Sequence, residues 1–376
     1  MYYLTKALIT ISLIVYLTTN VYSQEKENVL KIKIEGKKYE QLCLRIGLDD
    51  GTICAFDGKS ENNQDWTFLY PDSVYEKMKY KFLFVKEPDS ISHRLSFSVM
   101  SNKDTLSFGE FSFTKNKSVI NLQYMKTIIA EKSWQTNNKT FIRDIFFLKA
   151  PVDSQLMAVG KCITSGYSMF AYDSLTNEQR FEKYIHLTKE FPYSEYAIAM
   201  LSQTLTRYQS KDDVQKIYAC FNEEVRNSYF GKKISAYIAE KTFKNSVLPS
   251  LNNGVSESIV KDTTKYTLVL FSASWCAPCH EQIPILKDIY KDQSGKLDMV
   301  YISIDEPATV ENWKKMMKDE PIPWRSLLAV DNIRKIKERY YVQGIPYSIL
   351  VYPDGHMEDI NVRQKESLDK LYKILK

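Results

Sequence analysis

Hydrophobic and polar residues alternate along the first third of the chain. The segments NVLKIKIEG, QLCLRIGL, KFLFVKE and RLSFSVM each place every second residue on one apolar face, which predicts β-strands. Asp50-Gly51 and Asp57-Gly58 lie close to these segments, and Asp-Gly is typical of tight turns between strands. The pattern predicts an antiparallel, sandwich-like β domain over residues 24–130.

The spacing becomes helical over residues 131–245. In NEQRFEKYIHLTKEFP, apolar residues recur every three or four positions, and Pro192 ends the pattern. Ser194 and Asp212 precede two further helical segments and are predicted N-cap residues. We expect a small α-helical middle domain of three or four helices.

A third pattern covers the end of the chain. Residues 246–264 are rich in Ser, Asn and Thr and predict a linker. YTLVLFSAS and LDMVYISID then read as buried strands, and YSILVYPDGHMEDINV reads as a hairpin. Helical stretches separate these strands, so residues 265–376 predict an α/β domain with a mixed sheet.

The N-terminus has the layout of a secretory signal peptide. A lysine precedes the apolar run Ala7–Leu17, and Val21 and Ser23 provide the small residues of a cleavage site. The run is short for a membrane-spanning helix, although an uncleaved anchor is the alternative. We expect residues 1–23 to be removed and the protein to be exported to the periplasm or cell envelope.

Charge narrows the range of partners. The 376-residue chain has 51 Lys and Arg against 46 Asp and Glu, a net charge of +5, without a long basic run. This balance argues against a nucleic-acid partner. Its 44% hydrophobic content is that of globular protein and argues against general disorder.

The two cysteines in FSASWCAPCHEQIPIL are the candidate reactive residues of the chain. Cys276 directly follows a predicted strand, and Pro278 fits the first turn of the next helix. The helix N-terminus favours a thiolate at Cys276, and Cys279, one turn later, can close a disulfide with it. A zinc site would need a second ligand pair, which the sequence lacks, and a four-residue bridge would stabilise the fold little. We therefore predict a redox-active disulfide, with no metal and no other cofactor.

Two motifs in this region resemble the thioredoxin superfamily. WCAPC, residues 275–279, is similar to the family's Trp-Cys-Gly-Pro-Cys, and GIP, residues 344–346, is similar to its cis-proline loop. The segments LVLFSASWCAPCHEQIPIL, VYISIDE and VQGIPYSILVYPDG resemble TlpA-like envelope thiol-disulfide oxidoreductases. The order of the three regions also resembles envelope proteins of Bacteroides-type bacteria.

This resemblance implies roles for individual residues. Cys276 would attack a substrate disulfide and Cys279 would resolve the mixed disulfide. Trp275, Ile345 and Pro346 would contact the substrate, with the backbone of Ile345 pairing in the manner of a strand.

The chain departs from the family at the proton acceptor of Cys279. Leu270 stands where thioredoxins carry a buried Asp, and Gln282 stands where TlpA-like proteins commonly carry Glu. We hypothesise that Glu281 or solvent accepts the proton instead. The alternative is that Glu281 is an ordinary solvated helix residue.

The expected function is a thiol-disulfide oxidoreductase of the cell envelope, most simply a reductase. Its partners would be disulfide-bearing envelope proteins and a membrane thiol electron donor, the latter implied only by the resemblance. One alternative is a thiol peroxidase of the peroxiredoxin type. Another is a partner-binding module in residues 24–245 with an accessory redox domain.

Two further pairs of residues have suggestive positions in the sequence. Cys43 and Cys54 flank a predicted turn and suggest a structural cross-strand disulfide, with two unpaired thiols as the alternative. Asp305 and Glu306 end a predicted strand near the edge of the active site, where the resemblance implies similar acids. We expect them to lie in a solvated turn, with a place at the active-site edge as the alternative.

Overall fold

The computed structural model describes residues 26–88, 90–100, 105–115, 117–130, 140–149, 152, 154–164, 176–208 and 210–376. The signal-peptide prediction for residues 1–23 lies outside this part of the chain. Contacts divide the protein into two compact units. The first unit comprises residues 1–202 and 217–233, and the second comprises residues 203–216 and 234–376.

A large sheet forms the first unit. Its strands, where described, are β1 Glu27–Glu35, β2 Leu42–Leu48, β3 Ile53–Asp57, β4 Asp65–Pro71, β5 Met78–Val85, β6 Ile91–Met100, β7 Thr105–Phe108, β8 Lys117–Ala130 and β9 Thr140–Lys149. They run in the order β3-β2-β5-β6-β9-β8-β1-β4, with β7 paired to β6. The prediction of a β domain is confirmed. The sheet is not purely antiparallel, because β1 pairs with β8 and β6 pairs with β9 in parallel.

The sheet extends beyond residue 130. Strand β9 lies in the region predicted to be helical, and it is held between β6 and β8. Ile145 and Phe146 are buried there, so burial in the sheet decides the conformation of this segment.

Helices dominate the middle of the chain. They are α2 Ser154–Thr164, α3 Asn177–Glu190, α4 Glu195–Ser202, α5 Lys211–Ala219, α6 Glu223–Arg226 and α7 Tyr229–Ala239, whereas α1 Asp72–Lys77 lies between β4 and β5. Thr176 and Gln179 form a capping box at the start of α3. Ser194 accepts a hydrogen bond from the Ala197 N–H at α4, as predicted. At α5, Ser210 rather than Asp212 accepts from the Asp213 N–H.

The second unit contains the predicted α/β domain. Its main sheet has the order β14-β13-β12-β15-β16. Strands β12, β13 and β14 are parallel to one another, and β15 pairs antiparallel with both β12 and β16. The strands are β12 Tyr266–Ser272, β13 Leu297–Ser303, β14 Arg325–Leu328, β15 Tyr347–Val351 and β16 Met357–Asp359. The helices are α8 Ala277–Glu281, α9 Ile283–Gln293, α10 Val310–Asp319, α11 Ile333–Arg339 and α12 Lys365–Ile374.

The predicted linker is ordered structure. Strands β10 Val247–Pro249 and β11 Ser256–Ser258 pair with each other. Leu248 and Ile259 are buried in the same apolar cluster as the two cysteines of the motif. The Ser- and Asn-rich composition therefore reflects the turn between these two strands, and the segment is part of the second unit.

Within the described residues, no helix is both long and apolar enough to cross a membrane.

Candidate active site

A disulfide joins Cys276 and Cys279 at the start of α8. Strand β12 ends at Ser272, and the Cys276 N–H donates to the Ala273 carbonyl at 3.1 Å, which turns the chain into the helix. Cys276 is the N-cap residue, and the Cα atoms of the two cysteines are 5.3 Å apart. The predicted placement of Cys276 at a helix N-terminus is confirmed.

The two sulfurs are covered, while their neighbour is open to solvent. Cys276 is 4% exposed and Cys279 1%, whereas Trp275 is 60% exposed. Trp combines a large apolar ring with an N–H donor, and such side chains are enriched at protein interfaces. The geometry therefore presents Trp275 as an apolar surface directly beside the disulfide.

The cis-proline loop packs on the same cluster. The Ile345–Pro346 peptide bond is cis, as the resemblance implies. Ile345 and Tyr347 pack against the buried cluster that holds Cys276 and Cys279. The fold thus brings Trp275, the cysteines and the GIP loop to one end of the sheet, although these segments are about 70 residues apart in sequence. A role for Trp275, Ile345 and Pro346 in substrate binding stays a prediction.

The residues near Cys279 differ in their surroundings. Glu281 is exposed, and its carboxylate lies 3.0 Å from the Arg363 guanidinium. Gln282 is buried, and its Nε2 atom has no hydrogen-bond partner in the described part of the chain. Leu270 is fully buried in a separate apolar cluster. The proton-relay role of Glu281 stays a prediction, and its ion pair with Arg363 favours the solvated alternative.

Asp305 is not in a solvated turn, contrary to expectation. Its side chain is fully buried. Its carboxylate accepts hydrogen bonds from the Ser274 N–H at 2.9 Å, the Ser274 hydroxyl at 2.5 Å and the Ser303 hydroxyl at 2.9 Å. These donors satisfy a charge that would otherwise be expensive to bury. Glu306, the next residue, is exposed as expected.

The predicted Cys43–Cys54 disulfide is wrong. In the β2–β3 ladder Cys43 is opposite Asp57, and Cys54 is opposite Ile46. Cys43 and Ile46 are three positions apart, so the two thiols project from opposite faces of the sheet. Both cysteines are free, and burial raises the pKa of each thiol.

Sequence reasoning missed a buried polar cluster in the first unit. The Asp144 carboxylate accepts hydrogen bonds from Lys37, Tyr39, His93 and Thr127. Burial alone would raise the pKa of Asp144, but these donors outweigh it and hold the pKa well below its usual range. Three segments that are far apart in sequence supply the four donors, so no local signal pointed to the cluster.

His93 lies between two carboxylates. Its ring nitrogens are 2.7 Å from Asp144 and 3.1 Å from Glu87. Burial lowers the pKa of His93, but the hydrogen bonds to both carboxylates raise it by more, and the net pKa is raised. The cluster contains no evident nucleophile, and its groups satisfy one another, which is typical of a structural network.

Comparison with known proteins gives a consistent result for the second unit. Residues 263–357 match the family described as Thioredoxin-like. The chain is 31% identical over 112 residues to the thiol:disulfide interchange protein CycY of Rhizobium leguminosarum, covering 30% of this chain and 54% of CycY. It is 27% identical over 108 residues to the thiol-disulfide oxidoreductase ResA of Oceanobacillus iheyensis, covering 28% of this chain and 54% of ResA.

A solved structure is also similar to this part of the chain. The thioredoxin domain of a thiol-disulfide oxidoreductase from Bacteroides vulgatus is 25% identical, with a TM-score of 0.33, and the match covers 36% of this chain and 96% of that domain. The chain spans about half the length of the two curated relatives above. The WCAPC disulfide and the cis-proline loop both lie within residues 263–357, the part of the chain that matches the Thioredoxin-like family.

Proposed function

We propose that the protein is a thiol-disulfide oxidoreductase of the cell envelope that works as a reductase. The observation that carries the proposal is the Cys276–Cys279 disulfide at the start of a helix, with Trp275 exposed beside it. A cysteine at this position is favoured as a thiolate, which is the reactive form. The names of CycY and ResA support the reaction class.

The reaction conserves atoms and electrons in two exchange steps. In the reduced protein, the Cys276 thiolate attacks one sulfur of a substrate disulfide and releases the other as a thiolate. The Cys279 thiolate then attacks Cys276 in the mixed disulfide and releases the second substrate thiolate. The substrate gains two electrons, and the protein is left with the Cys276–Cys279 disulfide. A dithiol donor must then reduce that disulfide by the reverse exchange.

The envelope location and the partners are part of the same proposal. The secretory layout of residues 1–23 supports export, and an oxidising compartment is where disulfide-bearing substrates occur. The partners would be disulfide-bearing envelope proteins and a membrane thiol donor. The even spread of charge supports protein partners rather than nucleic acid.

The equilibrium reduction potential of the pair tests the proposal. It should be measured in the mature protein with the other four cysteines replaced by serine. A value near about −270 mV or lower is expected for a reductase, and one near about −120 mV would make the protein an oxidant. Cys279→Ser should accumulate a mixed disulfide at Cys276, whereas Cys276→Ser should not. Absence of reversible exchange in the parent protein would reject the proposed function.

A further inference from the structure

Asp305 is the buried carboxylate beside the cysteine loop. It lies two residues beyond the end of β13, next to the point where β12 ends. Its carboxylate accepts from the Ser274 N–H, the Ser274 hydroxyl and the Ser303 hydroxyl, and Ser274 is two residues before Cys276. Asp305 therefore contacts the segment that leads directly into the nucleophile Cys276.

The loop before Cys276 is held at successive points. The Ile304 N–H donates to the Ser272 carbonyl at 2.9 Å, and Asp305 binds Ser274 through both its backbone and its hydroxyl. The Cys276 N–H then donates to Ala273. A carboxylate that binds a backbone N–H and a hydroxyl together restricts both the main chain and the side-chain rotamer of Ser274. Asp305 thus fixes the path of the chain into Trp275 and Cys276.

The same carboxylate places a negative charge against Ser274, two residues before Cys276. In a buried setting, a like charge disfavours a neighbouring thiolate. Reduction of the disulfide creates that thiolate, so the charge makes the reduced form less stable and the pair a stronger reductant. The hydrogen bonds from Ser274 and Ser303 offset part of the charge, and their loss would strengthen its effect.

We propose that Asp305 is a positioning residue that fixes the Ser274–Cys276 segment and whose buried charge keeps the Cys276–Cys279 pair reducing. This inference rests on the proposed exchange activity of that pair. It assigns to the end of β13 a function in setting the redox balance.

The test compares three variants in the full mature chain. Asp305→Asn keeps the shape of the side chain and removes its charge. Ser274→Ala keeps the charge and removes one donor. Glu306→Gln removes an exposed charge one residue away and is the matched control. For each variant, the equilibrium between the pair and glutathione is measured, together with the alkylation rate of the reduced protein at pH 7.

The variants should shift the redox equilibrium of the pair in different directions. Asp305→Asn should shift the equilibrium constant with glutathione by about threefold to tenfold towards the reduced form of the pair, which is about 15–30 mV for a two-electron couple. The same variant should be alkylated faster at Cys276. Ser274→Ala should shift the equilibrium towards the oxidised form, because the Asp305 charge then has one donor fewer. Glu306→Gln should match the parent. If Asp305 had a purely structural role, Asp305→Asn and Ser274→Ala would shift the redox equilibrium in the same direction.

Each other outcome decides against the proposal. An unchanged equilibrium in Asp305→Asn, or an equal shift in Glu306→Gln, would overturn it. If Asp305→Asn fails to fold, Ser274→Ala and Ser303→Ala replace it, because each leaves the charge with one donor fewer. Both should then shift the pair towards the oxidised form, and no shift in either overturns the inference. Loss of exchange in the parent protein itself would instead reject the proposed function.

Discussion

Tyr347 donates a 2.6 Å hydrogen bond to Oδ1 of Asp359. Tyr347 directly follows the cis Ile345–Pro346 bond, and Asp359 is the last residue of β16. The other carboxylate oxygen of Asp359 accepts from Tyr237 of α7 at 2.7 Å. Burial, reinforced by the Asp359 charge, raises the pKa of both tyrosines well above the usual value. One carboxylate therefore ties the cis-proline strand to a helix that precedes the thioredoxin-like sheet in sequence.

Replacement of this carboxylate should destabilise the second unit. Asp359→Asn leaves the two tyrosine hydroxyls with one good acceptor instead of two, and a buried donor without a partner costs about 1–3 kcal/mol. We expect a lower urea midpoint and faster hydrogen exchange in β15. Asp369→Asn, the same substitution at an exposed position, is the control and should change neither quantity. Equal midpoints for the two variants would contradict this prediction.

The folded redox unit should begin well before residue 265. The Phe243 ring stacks on Tyr340 with centroids 4.9 Å apart, and Leu248 and Ile259 are buried in the cluster around the cysteines. A fragment of residues 265–376 loses these three side chains. It should be about 5 kcal/mol less stable than residues 234–376, at roughly 1.5–3 kcal/mol for each buried side chain.

Urea titrations of the two fragments, followed by circular dichroism, measure this difference. If both fragments unfold at the same denaturant concentration, residues 234–264 act only as a connection, as the linker prediction had it. A cooperative transition in the longer fragment alone would confirm the larger unit.

The His93 cluster should make stability depend on pH. The raised pKa of His93 adds stability below the unfolded value of 6.5, and that stability is lost as pH rises through the folded value. The lowered pKa of Asp144 adds stability above 3.8, which is lost as pH falls through its folded value. Stability contributed by this cluster should therefore be greatest between about pH 4 and 6.5 and decline at higher pH, as His93 loses its proton.

Urea midpoints at pH 6 and pH 8.5 check the alkaline part of this profile. His93→Gln should reduce the difference between the two midpoints. His186→Gln is the control, since His186 is an exposed residue of α3, and it should preserve the difference. A pH dependence that is the same in both variants would show that His93 does not cause it.

Mass mapping of the native protein should find Cys43 and Cys54 as thiols. Their register places them on opposite faces, so oxidation cannot join them without rearranging β2 and β3. After reduction, alkylation should reach Cys276 well before Cys162, because complete burial raises the pKa of Cys162 and shields it. Recovery of a peptide cross-linked through Cys43 and Cys54 would refute the register.

Trp275 should affect large substrates selectively. Trp275→Ala should raise KM for insulin reduction about fivefold, the effect of about 1 kcal/mol of lost contact, and leave reduction of a small aromatic disulfide unchanged. Val247→Ala, an exposed apolar residue of the same unit, is the control and should leave both activities unchanged. Similar losses on both substrates would indicate damage to the cysteines rather than lost substrate contact.

Local sequence identified the parts of the site that depend on local physics. Alternation in β1 predicted its buried face, and Leu30, Ile32 and Ile34 are fully or almost fully buried. The position of Cys276 after a strand and before Pro278 was sufficient to place it at a helix N-terminus. These features depend on neighbours a few residues apart, which a single sequence displays directly.

Strand register and burial could not be predicted from these local sequence patterns. The Cys43–Cys54 prediction failed because the ladder pairs Cys43 with Asp57, three positions from Cys54, and an odd displacement puts the two side chains on opposite faces. Strand β9 was missed because its two neighbours lie elsewhere in the sequence, and the linker was misread because Leu248 and Ile259 find their partners in a distant core.

The sequence by itself determined the two cysteines, the proline loop and the succession of β, helical and α/β regions, since each is encoded in a short pattern. Only the tertiary structure decided that Asp305 is buried against Ser274 and that Glu281 faces Arg363. The local sequence around an acidic residue that follows a strand is the same whether its side chain faces water or a serine. Its environment, and so its charge effect, is set by the residues that folding brings beside it.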